Sequence, residues 1–154
     1  MIGNGTPEPF RCTIPVRFGD IDVFGHVNHT RHLTFCEEHR SRFFARWAEE
    51  CGIDPLDGGL VIARVECDYL RPVSRNTPSV GVAMVVDAIG RSSLSLRYEI
   101  SDGESVVAVV KSVLVVVGKD GSSRTLADNE RRFAARYHVP ADSARNHREP
   151  REVR

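Results

Sequence analysis

The stretch from Asn28 to Cys51, NHTRHLTFCEEHRSRFFARWAEEC, decides how the rest of this chain is read. Leu33, Cys36, Phe43, Phe44, Trp47 and Cys51 recur at steps of three and four, the period of one apolar stripe on an α-helix. Asn28 is a residue type that caps a helix start by accepting from its unpaired N–H groups. Gly52 stands where a left-handed residue ends a helix, and Pro55 keeps it from resuming. The spacing predicts one long helix with one face to bury.

Upstream of it lies a loop, GDIDVFGHVN (Gly19–Asn28), dense in turn formers and ionisable groups. Before the loop, partial alternation over Phe10–Phe18 predicts a strand. Residues 1–9 hold Gly, Asn and two Pro, and read as a flexible arm. Downstream the pattern changes. Gly59–Leu70, Ser79–Ile89, Ser92–Ser101 and Ser105–Val117 are rich in Val and Ile with local alternation, so four more strands are expected. Gly90-Arg91 and Asp102-Gly103 mark tight hairpin turns between them. Val106–Val117 has few polar residues on either face, which predicts a central strand covered on both sides. Residues 125–137 predict a short second helix, and the polar stretch 138–154 a disordered tail. One strand, one long helix and four successive strands is an α+β order. A helix with one apolar stripe then packs best in the concave face of a curved antiparallel sheet of five to six strands. The expected domain spans residues 10–137.

Composition narrows the function. The chain has 154 residues, enough for one domain with a proper core, and its 41% hydrophobic and 27% charged residues are those of a water-soluble fold. Lysine plus arginine equals aspartate plus glutamate at 21 each, so no global field draws it to nucleic acid or to an anionic membrane. Cys12, Cys36, Cys51 and Cys67 form no CxxC pair and have no histidine at zinc-finger spacing, so no metal is expected. The first residues lack a signal peptide's basic and apolar regions, and the longest apolar run is interrupted by Lys111. A cytoplasmic protein with no membrane insertion is the expectation.

Three ordered stretches add a resemblance. RFGDIDVFGHVNHTRHLTFCEEHR (Arg17–Arg40) resembles the signature of the 4-hydroxybenzoyl-CoA thioesterase family of hotdog-fold proteins, with Arg17, Phe18, Asp20, Asp22, Gly25, His26, Val27, Asn28, Glu37 and Arg40 on matching places. ECDYLRPV (Glu66–Val73) resembles the strand after that family's helix, and IGRSSLSLRYEI (Ile89–Ile100) its Gly-x-Ser-Ser hairpin. The resemblance implies a hotdog fold, a homodimer or homotetramer, and hydrolysis of an acyl-CoA without metal or organic cofactor. It implies Asp22 as the catalytic carboxylate and the His29 backbone N–H as the donor to the thioester oxygen.

Residue types and positions suit that chemistry. Thioester hydrolysis needs a group that attacks or activates water, and donors for the oxyanion that develops. Asp22 lies just before a helix start, whose positive end favours an ionised carboxylate; it would act either as nucleophile or as general base. The same helix end offers unpaired N–H groups, and Gly25 permits a tight turn between the two. Against this stands a structural role for Asp22, capping the loop or pairing with Arg17. Resemblance to plant-type acyl-carrier-protein thioesterases makes His26 a candidate participant, beside a loop-holding role, and resemblance to the Tol-Pal-associated thioesterases makes the His29 side chain a candidate assistant. His32 is expected to line the pocket or pack, His39 to lie on the surface, Glu37 and Arg40 to pair on one helix face, and Asp20 to order the loop. Gly25 and Asn28 are expected beside the substrate. Arg91, Ser92 and Ser93 at a hairpin tip are the candidates for the CoA phosphates, with Arg71 next; Phe24, Phe35 and Tyr69 are candidates to shape the acyl pocket. The alternatives are an acyl-carrier-protein thioesterase, a non-catalytic acyl-CoA-binding module that keeps the fold, and a hydratase, whose Asp-x-Asn-Pro-x-His loop this chain lacks.

Overall fold

A computed structural model describes residues 7–54 and 57–139. Most of the expected arm (residues 1–6) and tail (residues 140–154) lies outside them, as does Pro55. Five strands form one sheet in the order β1-β3-β4-β5-β2: β1 (Phe10–Pro15), β2 (Gly58–Tyr69), β3 (Ser79–Ile89), β4 (Ser93–Asp102) and β5 (Ser105–Gly118). Every neighbouring pair is antiparallel. The long helix α1 (His29–Cys51) lies in the concave face, and the short α2 (Asp128–Ala135) packs near its C-terminal end. This is the α+β hotdog arrangement expected from the sequence. Bulges in β2 near Arg64 and in β3 near Ala88 supply local bends, as an extra residue on one strand does.

The helix boundaries follow from chemistry already visible in the sequence. Asn28 caps α1, its side-chain oxygen accepting the Thr30 N–H at 3.0 Å, and Gly52 ends it at φ 68°. The buried stripe, however, is rotated from the one expected. His32, Phe35, Cys36, His39, Phe43, Trp47 and Ala48 are buried, whereas Leu33 is 40% exposed. His39 is therefore a core residue and not a surface one. Its Nε2 bonds the Phe10 carbonyl at 2.8 Å, and its ring stands edge-on to Phe10 and Tyr98. A buried imidazole with one strong hydrogen bond behaves as an apolar plate with a single polar handle, which hydropathy alone does not register.

Two strand expectations also change. β1 ends at Pro15, before Phe18, because the Asp20 carboxylate accepts the Arg17 N–H at 2.8 Å and folds Phe18–Asp20 into a 3-10 turn. β5 does lie inside the sheet, but along most of its length it is buried on one face only: Ala108, Val110, Ser112, Leu114 and Val116 point inward, and of the alternate residues only Val107 is buried while the rest are half-buried. Its Val content reflects β propensity on a half-open face rather than cover on both sides.

The two sheet edges differ. Beyond β1, the edge of β3 is covered by Tyr137–Val139, which exchange backbone hydrogen bonds with Val86. β2 has no such cover among the described residues. Val61, Ile62, Val65 and Tyr69 on it are each 40% or more exposed, with Leu70 just beyond at 54%.

Candidate active site

The loop before α1 is built by two aspartates with different fates. Asp20 is 4% exposed; it holds the Arg17 N–H, stands 3.6 Å from Arg31 Nε, and its carbonyl accepts the Asn28 N–H at 2.8 Å. It orders the loop, as its position suggested. Asp22 is half-buried. Its backbone pairs with His26, the Gly25 N–H closes a tight turn on its carbonyl at 3.1 Å, and Gly25 takes φ 80°, a region favoured by glycine. One carboxylate oxygen, Oδ1, accepts the Phe24 N–H at 2.9 Å, so the turn itself aims the side chain. Among the described residues Asp22 forms no ion pair. Arg17, its sequence-level rival partner, binds Glu38 through two hydrogen bonds of 2.6 and 3.1 Å.

The connection from β2 to β3 fixes this loop from the other side. Val27 donates to the Val73 carbonyl at 2.9 Å, Arg75 donates to the Gly25 carbonyl at 3.1 Å, and His26 forms a bridge with Ser74. His26 is thus held by its backbone, and its exposed ring makes no hydrogen bond among the described residues.

At the helix start, the Asn28 side chain takes the Thr30 N–H and the Asn28 carbonyl takes the Arg31 N–H at 2.9 Å. The His29 N–H is taken by neither and has no other acceptor among the described residues, so the first helical position, seven residues on from Asp22, presents an open donor. The His29 carbonyl, by contrast, receives the Tyr69 hydroxyl at 3.1 Å and lies 3.2 Å from His32 Nδ1. The His29 ring is exposed and stands edge-on to Tyr69 at 6.0 Å. Burial holds the His32 imidazole below its ordinary pKa, which favours its neutral form, and its Nε2 is buried without a partner among the described residues. The Tyr69 contact escaped the sequence because it joins residues 40 apart across the helix–sheet gap; only the Tyr-Leu-x-Pro stretch hinted at it.

The structure does not bring the other sequence candidates to this point within one chain. Arg91, Ser92 and Ser93 lie at the opposite end of the sheet, where the Arg91 carbonyl accepts the Leu126 N–H and Arg131 Nη2. The 23 residues of α1 separate the two ends by about 35 Å. Arg71, the second choice for phosphate contact, is at the same end as Asp22, with its N–H on the Val107 carbonyl. Phe35 is fully buried core, whereas Phe24 is 81% exposed at the loop tip. Glu37 and Arg40 pair at 3.1 Å as expected and line a groove of about 260 Å³ between α1 and the start of β2, with Ser41, Phe44 and Leu60. Among the described residues no three His, Cys, Asp or Glu side chains converge as a metal site requires, and no helix is long and apolar enough to cross a membrane.

The described residues thus form a hotdog fold whose long helix starts a few residues after a carboxylate that is outside any ion pair among them. Comparison with known proteins agrees. The profile of the thioesterase-like superfamily matches residues 16–146, and the chain belongs to that family. Among solved structures, a thioesterase from Thermus thermophilus, complexed with coenzyme A and zinc, is 31% identical; the match covers 82% of this chain and 98% of that one at a TM-score of 0.72. A "predicted thioesterase" from Bacillus stearothermophilus is 26% identical over 86% of this chain and 98% of that one, at a TM-score of 0.76. The uncharacterized Bacillus subtilis protein YsmA is 28% identical over 82% of this chain and 85% of its own length.

Proposed function

We propose that this protein hydrolyses an acyl-CoA thioester, with Asp22 as the reacting carboxylate and the His29 N–H as the donor to the developing oxyanion. The observation that carries this reading is the pairing of a carboxylate outside any ion pair among the described residues with an open helical N–H, both on one turn-stabilised loop. The helix dipole favours both the ionised acid and the negative oxygen that forms during attack. One positioned donor contributes roughly 2.7–4 kcal/mol to a transition state of this kind. Asp22 acts on the acyl carbon directly or through water. His26 and the His29 side chain flank the same turn and assist from its exposed side. Gly25 and Asn28 give the substrate its close backbone approach. The coenzyme A bound to the Thermus relative supports CoA as the carrier.

The working unit in this reading is a homodimer or a pair of dimers. Among the described residues β2 is an open edge with an apolar face, and Phe18 and Phe24 beside the site are 97% and 81% exposed, a pattern that one chain leaves unfinished. A two-fold axis pairing β2 with its copy reverses the second chain. The end of the second chain's sheet that carries its β3–β4 turn would then lie toward the end that carries Asp22, where a CoA phosphate contact is needed.

The test is a thiol-release assay over short, medium, long and aromatic acyl-CoAs, with Asp22→Asn alongside. Wild-type protein should release CoA, and the variant should lose at least about a hundredfold in turnover. Full activity in the variant would remove Asp22 from the mechanism. Binding of acyl-CoA without any hydrolysis would leave a binding module, and release only from an acyl-carrier-protein would replace the carrier.

A further inference from the structure

We infer that Tyr69 is a positioning residue for catalysis: by holding the His29 carbonyl, its hydroxyl fixes the first turn of α1 in the orientation that aims the His29 N–H at the substrate. The inference rests on the thioesterase reading above. The first turn of a helix is its least restrained part, because its N–H groups have no intrahelical partners. An oxyanion donor nonetheless works only if it is aimed before the charge appears. In this chain the Asn28 cap restrains the turn from the N-terminal side, through the Thr30 N–H. Tyr69 restrains it from the sheet. It is the last residue of β2, opposite the small Ala108, and its ring reaches edge-on to His29 at 6.0 Å and to His32 at 5.2 Å. Its hydroxyl then donates to the His29 carbonyl at 3.1 Å, one Cα away from the open N–H. Burial and the neighbouring Cys67 thiol push the phenol up to about 12, so it remains a donor at any ordinary assay pH.

Tyr69→Phe keeps the ring and removes only the hydroxyl. Turnover should fall about tenfold, the size of one lost hydrogen bond expressed in a transition state, with KM within about twofold of the parent. A purely structural role would lower the melting temperature or raise KM and leave kcat per folded molecule untouched. A second readout does not depend on activity. The Thr30 and Arg31 amides of ¹⁵N-labelled Tyr69→Phe, both held by Asn28 in the parent, should exchange with solvent about tenfold faster than in the parent, while amides in β3 and β4 exchange as before. Unchanged exchange in the first turn overturns the inference, whatever happens to turnover. Faster exchange with full turnover also overturns it, because the ordering would then be idle. If Asp22→Asn abolishes hydrolysis and Tyr69→Phe does not, Tyr69 alone is wrong. If no thioester is hydrolysed by the parent, the thioesterase reading fails, and with it the positioning role assigned to Tyr69.

Discussion

The two ends of α1 are built on opposite plans. At the C-terminal end the polar groups of α2 find protein partners. Glu130 is 2% exposed and receives two 2.7 Å bonds from Arg124 and a third from the Ala127 N–H. Burial alone would raise its carboxyl, yet those bonds and the Arg124 charge outweigh it and hold the group below the ordinary carboxylate range. Asn129 closes the helix by donating to the Cys51 carbonyl at 3.0 Å. At the N-terminal end Asp22 uses one oxygen for its own turn, the His29 N–H stays open, and aromatic side chains face solvent. One end locks the domain, and in the proposed reading the other is left available for chemistry. A carboxylate whose two oxygens are already taken by an arginine and a backbone amide is stabilised, and the same bonds leave it little capacity to react.

The largest expected effect breaks the open end and spares the closed one. Asp22→Asn should lower turnover at least about a hundredfold while its melting curve overlays that of the parent. The converse variant, Glu130→Gln, should cost about 2 kcal/mol of unfolding free energy by denaturant titration, since it weakens charged hydrogen bonds, and leave kcat per folded molecule unchanged. If Glu130→Gln also removes activity in folded protein, the two ends are coupled and the division fails. Asn28→Ala tests both properties at once. It should lose about 1 kcal/mol of stability through the cap and, in addition, turnover through the disordered first turn.

The smallest effect concerns pH. Burial, reinforced by the charges of Arg42 and Arg40 against the opposing Phe10 carbonyl bond, depresses the His39 imidazole below its ordinary value. The unfolded chain therefore binds a proton at His39 before the folded one does, near pH ~6.5. The stability it contributes is complete above that pH and is lost as the pH falls toward the folded value. His32 shifts in the same sense. Melting temperature should decline below about pH 6.5, and more shallowly in His39→Gln. An identical slope in that variant would place the sensitivity elsewhere.

How much of this was legible in the chain depends on the range of the interaction. The Asn28 cap, the Gly52 terminus, the Glu37–Arg40 pair and the loop-ordering role of Asp20 all involve residues close in sequence, and each is found as read. The rotation of the helix stripe was not legible. His32 and His39 count as polar in any hydropathy pattern, and only their partners in β1, β2 and β4 make them core residues. The candidate site divides in the same way. Asp22, Gly25, His26, Asn28 and His29 lie within eight residues and come together through local turns. Arg91, Ser92 and Ser93 sit at the far end of the same sheet, a separation set by strand register that no motif encodes.

The amino-acid order alone fixed the element types, the one long helix and the loop that carries the proposed reacting aspartate, because periodicity, caps and turn chemistry act over a few residues. Only the folded chain decided which of two nearby aspartates is tied down, which histidines are buried, which sheet edge lies open and that Tyr69 meets His29. Those outcomes depend on surfaces brought together from distant positions, where burial and the supply of hydrogen-bond partners outweigh local preference.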